Sequence, residues 1–574
     1  MQVLERRRFG FLWLAITSLL LGLIFVVQSN TTAAEAATTF DVNVTDHQPL
    51  SGIMGSGTSY VATQVAWLAG GAQYLCSGLD DSKCASNAEV FAMLPVCQSA
   101  SEINCIEALE VKSEGTSGGA ATHQKTIGKL AFPAQPDIGL PAGSNISLWS
   151  VPSLKSAGKV GDFAVTVRVK LLKSGNNLRA EEFSARVEPY TLGTTTQDPV
   201  STVERTNPTG VVGISGIGGD RNCIWIDSGQ CGQVTDFPKD SRVKLTIRIG
   251  NYLTSWLHGR FTDPNIKITA IDAKNNRLEM DAAPVKVPSA TALVNADEAS
   301  DEVKSKFKDP SGFLPPGNIS MYTEATQRGA MQNFLDFEKF FSKKSNKLVD
   351  TWSMRSLSGQ ANSCSLRVSS LLKEPLSTLI GVVATNAVTY ESQPPAFTDG
   401  ELKYQVAGLR YLADGTTVFQ GRYDLLMRSE FARCLYGYTD APVIAEVSIT
   451  NEEGTNVVAT TNLKESGGWL MLGAYGFTFS APTLRVKLNQ EKKAAPTPTP
   501  TPSPTITATA TPSPASASTP IATPIATPIA TPIATPSAKG TTSSSKVSIT
   551  CVKGKIVKKV SGTSPKCPKG FKKK

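Results

Sequence analysis

Ten cysteines constrain the fold of this 574-residue chain more than any other feature. Six of them form three pairs with seven residues between the partners: Cys76 and Cys84, Cys97 and Cys105, and Cys223 and Cys231. A β-hairpin brings residues at this separation opposite each other, within the Cα–Cα range of a disulfide. The spacing therefore predicts three short disulfide-bonded hairpins, the clearest being CIWIDSGQC with Asp227-Ser228-Gly229 as its turn.

The other four cysteines predict two further bridges, Cys551 with Cys567 near the C-terminus and Cys364 with Cys434 across a long loop. Spacing alone leaves a Cys76–Cys97 or a Cys84–Cys105 pairing open. Metal binding is disfavoured, because none of the chain's three histidines lies near a cysteine pair. Since disulfides persist in oxidising compartments, the cysteine content predicts a protein outside the cytoplasm.

The N-terminus predicts the same compartment. Arg6-Arg7-Arg8 precede an apolar run from Phe11 to Val27, and Ala34-Glu35-Ala36 has the small-x-small pattern of a signal peptidase site. Residues 1–36 are therefore predicted to be a secretory signal that is cleaved near Ala36. The alternative is an uncleaved membrane anchor, because an apolar run of seventeen residues is at the short limit for crossing a bilayer.

The fold class predicted for the body of the chain is mainly β. Period-two alternation, as in Phe163–Leu171 and Arg242–Ile249, indicates several antiparallel β-sandwich-like domains with a minor helical segment. Trp256–Phe261 and Ile266–Ile271 are predicted as two strands, separated by a turn at Asp263-Pro264-Asn265.

The composition shifts predict domain boundaries along the chain. We expect a disulfide-containing β-rich domain at 37–205 and a β-sandwich-like domain at 206–290, with a polar linker at 193–209 between them. A helical connecting segment at 291–350 includes a long helix from about Met321 to Phe341, whose aromatic stripe is expected to face the core. A second sandwich follows at 351–490.

Two biased segments complete the chain. Residues 491–545 are rich in Pro, Thr and Ala, which predicts a disordered, extended stalk with candidate O-glycosylation sites. The tail at 546–574 contains ten lysines and no acid, which leaves 47 basic and 48 acidic residues in the rest of the chain. The net charge of +9 is therefore a property of the tail, and an anionic partner is expected to bind there.

The predicted envelope-binding residues are nine of these lysines: Lys553, Lys555, Lys558, Lys559, Lys566, Lys569, Lys572, Lys573 and Lys574. The expected partner is an anionic cell-wall polymer or a membrane surface. Nucleic acid is not expected as a partner, because the predicted compartment excludes it.

Several long motifs resemble an uncharacterised family of secreted or cell-surface proteins of actinobacteria. The resemblance covers residues 41–490 and rests on FPAQPDIGLPAG at 132–143, NCIWIDSGQCG, YDLLMRSEFARCLYGYTDAPV at 423–443 and the segment 458–488. The ending at 549–574 looks like a short basic two-cysteine module of exported proteins in that group. The resemblance implies an envelope location and no activity or functional residue.

No motif in the sequence supports catalysis. Gly115–Gly119 matches G-x-S-x-G near His123, but its polar surroundings lack the strand–turn–helix context of a nucleophile elbow. Paired carboxylates such as Asp80-Asp81, Glu181-Glu182 and Glu452-Glu453 are interpreted as solvated turns or faces. Five tryptophans at apolar strand positions are expected in the core, Trp225 least securely: Trp149, Trp225, Trp256, Trp352 and Trp469. We therefore expect no catalytic residue, no cofactor and no metal site.

These patterns predict an exported cell-envelope protein of a non-enzymatic binding, adhesion or structural type, attached through its basic tail. The alternative is a secreted polysaccharide-degrading or carbohydrate-binding protein. The sequence leaves open the ligand of the body, the cleavage of the signal, the glycosylation of the stalk and the oligomeric state.

Overall fold

A computed structural model describes residues 39–44, 58–64, 72–116, 118–206, 210–220, 222–250, 252–253, 256–295, 298–307, 321–322, 330–357, 363–364, 379–438, 443–450, 456–458, 460–479, 483–490, 547–553, 556–562, 567 and 571–573. The predicted signal at 1–36 and the predicted stalk at 491–545 lie outside these residues. The described chain forms two compact units, one ending at Lys493 and one beginning at Ala494.

The described chain is mainly β, as predicted. The strands of the first half are β1 Thr39–Val44, β2 Tyr60–Thr63, β3 Leu75–Cys76, β4 Asn87–Met93, β5 Cys105–Lys112, β6 Thr122–Thr126, β7 Ser147–Ser150, β8 Asp162–Ser174, β9 Asn177–Thr194, β10 Ser201–Thr206, β11 Val212–Ile217, β12 Cys223–Asp227, β13 Gln230–Val234, β14 Arg242–Ile249, β15 Trp256–Ala270 and β16 Asn276–Asn295.

Those that follow are β17 Met321–Tyr322, β18 Lys347–Ser356, β19 Gly381–Thr385, β20 Thr389–Tyr390, β21 Ala396–Thr398, β22 Glu401–Ala407, β23 Gln420–Arg428, β24 Val443–Thr450, β25 Asn456–Val458, β26 Thr460–Ser466, β27 Trp469–Thr478, β28 Thr483–Gln490, β29 Val547–Lys553, β30 Ile556–Gly562 and β31 Lys572–Lys573. The helices of the described residues are Pro152–Ser156, Asp301–Lys306, Ala330–Phe340 and Ser429–Tyr436, with a 3₁₀ turn at Pro136–Ile138. Among these residues no helix has the length and apolar character needed to span a membrane.

One long sheet runs through the first unit in the order β3-β2-β4-β8-β9-β18-β15-β19-β23-β27-β26. All of its neighbours are antiparallel except β15 and β19, which are parallel. A second sheet, β5-β14-β16 with the end of β15, shares a buried core with the first part of the long sheet. A third sheet built on β22, β28 and β24 shares another core with the second part. The result is two sandwich-like packings on one continuous sheet.

Strand alternation explains these cores. In β14, Val243, Leu245 and Ile247 are fully buried, while Lys244 and Arg248 alternate with them and form ion pairs with acids of neighbouring strands. Successive side chains of a strand point to opposite faces, so one face of β14 enters the core and the other meets solvent.

The predicted turn at Asp263-Pro264-Asn265 is wrong. β15 is one continuous strand whose register to β16 shifts between Thr262 and Asn265, and Asp263 has a φ of 50°. This is a β-bulge, which bends a strand instead of reversing it. The bend lets the first half of β15 pair with β18 and β19 and the second half with β16.

Two other predicted elements are corrected. Of the helix predicted from Met321 to Phe341, the described residues show Ala330–Phe340 as helix, and Met321–Tyr322 pairs in parallel with β1 instead. Its aromatic stripe does face the core, since Phe334 and Phe337 are fully buried. The stretch at 193–209, predicted as a linker, contains the end of β9 and the whole of β10.

Backbone pairing also crosses the predicted boundaries within the first unit. β9 pairs with β13 and with β18, and β16 pairs with β18. Strands from the ranges 37–205, 206–290 and 351–490 therefore share sheets. The exact boundaries stay predictions.

Four disulfides are present with the predicted partners: Cys76–Cys84, Cys97–Cys105, Cys223–Cys231 and Cys364–Cys434. The alternative pairings among the first four cysteines are therefore excluded. Cys567 is disulfide-bonded as well, and the side chain of Cys551 lies outside the description. Four disulfides indicate that the protein folds in an oxidising environment.

Equal spacing does not give these disulfides equal structures. Only Cys223–Cys231 closes a hairpin, in which β12 and β13 are joined by Ser228 and Gly229, both with positive φ. Cys97–Cys105 closes a loop whose flanks, Val96 and Ile106, form a parallel bridge. The predicted hairpin is wrong there, because the chain does not reverse into an antiparallel pair.

The second unit is a three-stranded sheet. β29 lies in the centre and pairs antiparallel with β30 on one side and β31 on the other. The basic tail therefore has its own β-structure over the described residues.

Candidate functional site

Two places carry candidate function, the sheet of the basic tail and a cleft in the body. In the tail, Lys558 and Lys573 are the register partners of Cys551 from opposite sides, which puts them in one row across the sheet. Lys572 pairs with Val552 in the next row, and Lys559 pairs with Thr550. Lys572 and Lys573 are exposed.

This arrangement groups cations that are distant in the sequence. Neighbouring strands lie about 5 Å apart, so the three strands bring residues near 558 and near 572 within about 10 Å of each other. Lys553 belongs to β29, whereas Lys555, Lys566, Lys569 and Lys574 lie outside the described residues. A sheet that presents lysines without acids between them attracts anionic surfaces by summed, salt-sensitive electrostatics.

The cleft in the body lies beside the Cys223–Cys231 hairpin, and we call it the Trp225 cleft. It has an empty volume of about 530 Å³, which includes its open mouth. Its apolar lining comes from four separate stretches of the chain: Ile127, Ile146, Pro199, Val200, Ile224 and Ile226. Asn145 and Trp225 also line it.

The disulfide hairpin positions the indole of Trp225. Trp225 is the register partner of Gly232, and a Cβ at Gly232 would lie 2.1 Å from Trp225 Nε1. A glycine is therefore required for the indole to lie against β13. Tyr190 contacts the ring edge-on with centroids 5.4 Å apart, and Lys125 Nζ lies 5.4 Å from the ring centroid.

Two polar atoms of the lining have no hydrogen-bond partner among the described residues. They are Trp225 Nε1, a donor, and Asn145 Oδ1, an acceptor, and both are shielded from solvent. The other end of the Asn145 amide is held, because Nδ2 donates to the Lys129 carbonyl oxygen at 2.9 Å. Buried polar groups are nearly always hydrogen-bonded, so two such atoms in one cleft are a feature that requires explanation.

A charged pair lies next to the cleft. Lys125 Nζ and Asp227 Oδ2 are 2.7 Å apart, and the pair joins β6 to the end of β12. The hydrogen bonds from Lys125 and from Ser228 lower the pKa of Asp227 below its usual range. The Asp227 carboxylate therefore stays ionised at neutral pH, and the ion pair adds a polar group beside the apolar lining.

The tryptophan prediction is confirmed. All five residues named above are buried, with exposures of 4% or less, and none offers a flat open ring for stacking on a sugar. Of these five tryptophans, Trp225 is the one that lines the Trp225 cleft. The cleft itself could not be read from the sequence, because its lining comes from stretches that are far apart along the chain.

The G-x-S-x-G match has no catalytic context. It lies between β5 and β6, so a strand follows it where a nucleophile elbow needs a helix. Ser117 is outside the described residues. His123 belongs to β6 and packs against Trp149 with ring centroids 5.4 Å apart.

The carboxylate pairs named from the sequence have structural partners. Asp81 accepts hydrogen bonds from the backbone N–H groups of Ser77 and Lys83, and Glu181 lies 2.9 Å from Lys170 Nζ. Glu452-Glu453 lies outside the described residues. Within the part of the chain that is described, no group of three or more His, Cys, Asp or Glu residues is arranged to hold a metal ion.

Sequence reasoning missed several carboxyl groups whose pKa is raised, among them Asp424 and Asp350. Burial raises the pKa of Asp424 to about 6, and its oxygens accept from the hydroxyls of Tyr475 and Thr262 at 2.5 and 2.9 Å. Burial also raises the pKa of Asp350 to about 6, with Lys286 and Asp236 close to it. Their sequence neighbourhoods are ordinary strands, so only the packing reveals the altered pKa.

Comparison with known proteins adds no relative. No family model matches the chain, and neither the comparison with curated proteins nor that with solved structures found a match.

Proposed function

We propose that this chain is an exported cell-envelope protein of a non-enzymatic binding type. Its body binds a ligand, and its basic tail holds it to an anionic wall polymer or membrane surface. The observation that supports this most is the tail sheet, where Lys558 and Lys573 flank Cys551 in one row and no acid occurs from 546 to 574. The four disulfides are consistent with an extracytoplasmic location.

Tail deletion tests the attachment. Cells that produce the full chain and cells that produce a chain lacking 546–574 are fractionated, and the bound protein is washed with increasing salt. We expect the intact protein to be released by high salt, because screening weakens attraction between exposed charges. We expect the deleted form in the medium at every salt concentration. Equal retention of both forms would show that the tail is not the attachment.

The alternative is a polysaccharide-degrading enzyme, and one observation favours it. Asp350 has a raised pKa, its Oδ2 accepts from the Phe237 N–H at 3.2 Å, and Asp236 is close enough to contribute to that pKa. A carboxyl group with a raised pKa beside a second, ionised carboxylate is the pattern of acid–base catalysis in glycoside hydrolases. One contact argues against an enzyme: Lys286 Nζ lies 3.0 Å from Asp236 Oδ2, so the second carboxylate is already held in an ion pair.

Hydrolysis assays separate the two functions. Purified protein, Asp350→Asn and Asp236→Asn are incubated with envelope polysaccharides, and reducing ends are measured. The binding function predicts no release by any of the three. Release by the native protein that both substitutions abolish would establish the enzyme instead.

A further inference from the structure

The Trp225 cleft has a chemical pattern that specifies a ligand. Trp225 Nε1 offers one donor and Asn145 Oδ1 offers one acceptor, and neither is satisfied by the described residues. Most of the remaining lining is aliphatic. A group that complements this lining carries one acceptor, one donor and a small apolar part.

A secondary amide combines an acceptor and a donor in one group. Its carbonyl oxygen accepts one hydrogen bond and its N–H donates one. An acetamido group adds a methyl group, which the isoleucine side chains of the cleft can cover. Hydroxyl groups alone fit less well, because they supply no apolar part for the isoleucines.

We propose that the Trp225 cleft binds the acetamido group of an N-acetylated amino sugar. Trp225 Nε1 donates to the carbonyl oxygen of the ligand, and Asn145 Oδ1 accepts from its N–H. This site deepens the proposed binding function and rests on it, since it names the ligand class of the body.

The surroundings favour a sugar over a peptide. The cleft is bounded by residues of five separate stretches, Thr58 among them, which suits one compact ring more than an extended chain. Its neighbours Lys125 and Asp227 carry ionised groups that can hydrogen-bond to sugar hydroxyls. A peptide that added to a sheet would instead use the backbone groups of a strand edge.

Entry of the ligand requires one wall of the cleft to move, because both polar atoms are shielded from solvent. Pro199 and Val200 form the wall that leads into β10, and β10 with β11 makes a separate two-stranded sheet. After β11 the chain runs back past this wall through Gly218 and Gly219. There the Gly219 N–H donates to the carbonyl oxygen of Asp198, next to Pro199, at 2.8 Å. Isolated two-stranded sheets are only marginally stable, so this wall is the easiest one to displace.

Ligand-observed NMR titrations of the purified full chain test the site with four probes. These are N-acetylglucosamine, glucosamine, glucose and N-acetylalanine methylamide, the last as a peptide mimic. We expect N-acetylglucosamine to bind at least tenfold more tightly than the other three. This comparison uses the native protein alone and so does not depend on any variant.

Two variants then locate the binding. Trp225→Phe removes the donor and keeps an aromatic ring, and we expect about fivefold to tenfold weaker binding of N-acetylglucosamine, the usual loss for one hydrogen bond. Trp149→Phe is the matched control: Trp149 is similarly buried, but its Nε1 donates to Ser147 Oγ and it does not line the cleft. We expect this control to bind like the native protein.

Three results would overturn the site. They are equal binding of glucose and N-acetylglucosamine, tighter binding of the methylamide, or no binding of any probe. A parallel low-salt pull-down of the full chain on isolated envelope polymers keeps the proposed function separate. If the protein is retained there while no probe binds, only the acetamido site is lost; if it is not retained either, the binding function is lost as well.

Discussion

Cationic side chains in the body and in the tail have different surroundings. On the outer face of β14 and β16, Arg248 Nε and Arg277 Nε donate to the two oxygens of Glu107 at 2.8 and 2.9 Å. The tail carries ten lysines and no acid. Paired charges produce little field beyond their own site, whereas a cluster of one sign produces a field that a partner can sense. Arg248 and Arg277 therefore hold neighbouring strands of the body together through Glu107, whereas the binding role of the tail lysines is the proposal to be tested.

In the interior of the body, too, a charged side chain lies where hydrogen-bond partners surround it, as the contrast between Arg260 and His258 shows. Arg260 is buried and donates to the carbonyl oxygens of Thr385, Ala387 and Val388. His258, two residues earlier on β15, is buried with no hydrogen-bond partner for either ring nitrogen among the described residues. The guanidinium of Arg260 is thus buried where carbonyl oxygens accept its hydrogen bonds. His258, which lacks such partners in the described part of the chain, is buried as a neutral ring.

The largest expected effect concerns the charges of the tail. We expect the combined change of Lys558, Lys559, Lys572 and Lys573 to Gln to weaken binding to anionic vesicles by about 4 kcal/mol, because each lysine near such a surface contributes about 1 kcal/mol. This corresponds to roughly a thousandfold loss. Co-sedimentation with vesicles that contain anionic lipid, at low salt, measures it.

The body offers a matched control with the same change in net charge. It changes four lysines that form ion pairs with acids: Lys244, Lys267, Lys286 and Lys403. Changing these four to Gln is expected to reduce binding much less. If both sets weaken binding equally, the surface responds to the net charge of the whole chain, and the tail has no special role.

The next effect concerns the pairing within the body. Burial raises the pKa of Glu107, but the hydrogen bonds from Arg248 and Arg277 outweigh it and hold that pKa below its usual range. Glu107→Ala leaves two partly buried guanidinium groups without their carboxylate, and we expect it to lower the free energy of unfolding by about 2 kcal/mol. Urea denaturation at neutral pH measures the loss.

The control for this change is Glu114→Ala. Glu114 lies 3.9 Å from Lys239 and both side chains are largely exposed, so we expect less than about 0.5 kcal/mol. Neither variant should alter binding to anionic vesicles. A loss of vesicle binding by Glu107→Ala would contradict the division of labour between body and tail.

Local sequence patterns predicted the strands of the body better than their connections. Alternation identified β14 correctly, and equal spacing identified the cysteine partners. Asp263-Pro264-Asn265 predicts a turn, whereas the structure has a bulge there. These residue types suit both, and the pairing of β15 with β16 decides between them. Spacing also did not distinguish the Cys223–Cys231 hairpin from the Cys97–Cys105 loop, since both need only a short closed segment.

The candidate sites differ in the same way. The tail was predictable, because ten lysines in 29 residues are a local property of the sequence. The Trp225 cleft was not predictable, since Asn145 and Trp225 line one cleft only when the chain has folded. Nothing in the sequence around Asn145 indicates that its Oδ1 has no partner.

The third prediction uses pH to test whether His258 is buried as a neutral ring. Burial lowers the pKa of His258 well below its usual range, and Arg260 and Arg355 lower it further. The unfolded chain therefore binds a proton below about pH 6.5 that the folded chain does not, so stability falls as pH falls. We expect His258 to contribute a loss of about 1 kcal/mol between pH 6.5 and 5.5.

Two carboxyls act with the opposite sign in this range. The pKa values of Asp350 and Asp424 are raised to about 6, so their contribution to stability grows as pH falls. The difference in the free energy of unfolding between native protein and His258→Phe, measured at each pH, isolates the histidine. His123→Phe is the control, because His123 is only half-buried and its pKa is lowered less strongly. We expect its difference from the native protein in free energy of unfolding to change less with pH. A difference that does not change with pH would mean that His258 does not control the acid sensitivity.

The smallest expected effect concerns Lys267, an exposed lysine of the body. Lys267 is 70% exposed and its Nζ lies 3.5 Å from Glu279 Oε1, an oxygen that also accepts from Arg277 Nη1 at 2.5 Å. Because Glu279 keeps Arg277 when Lys267 is removed, we expect Lys267→Ala to change the free energy of unfolding by less than about 0.5 kcal/mol. Urea denaturation in low and in high salt measures it, and high salt should reduce even this difference. A loss above about 1 kcal/mol would show that exposed cations of the body also contribute substantially to its stability.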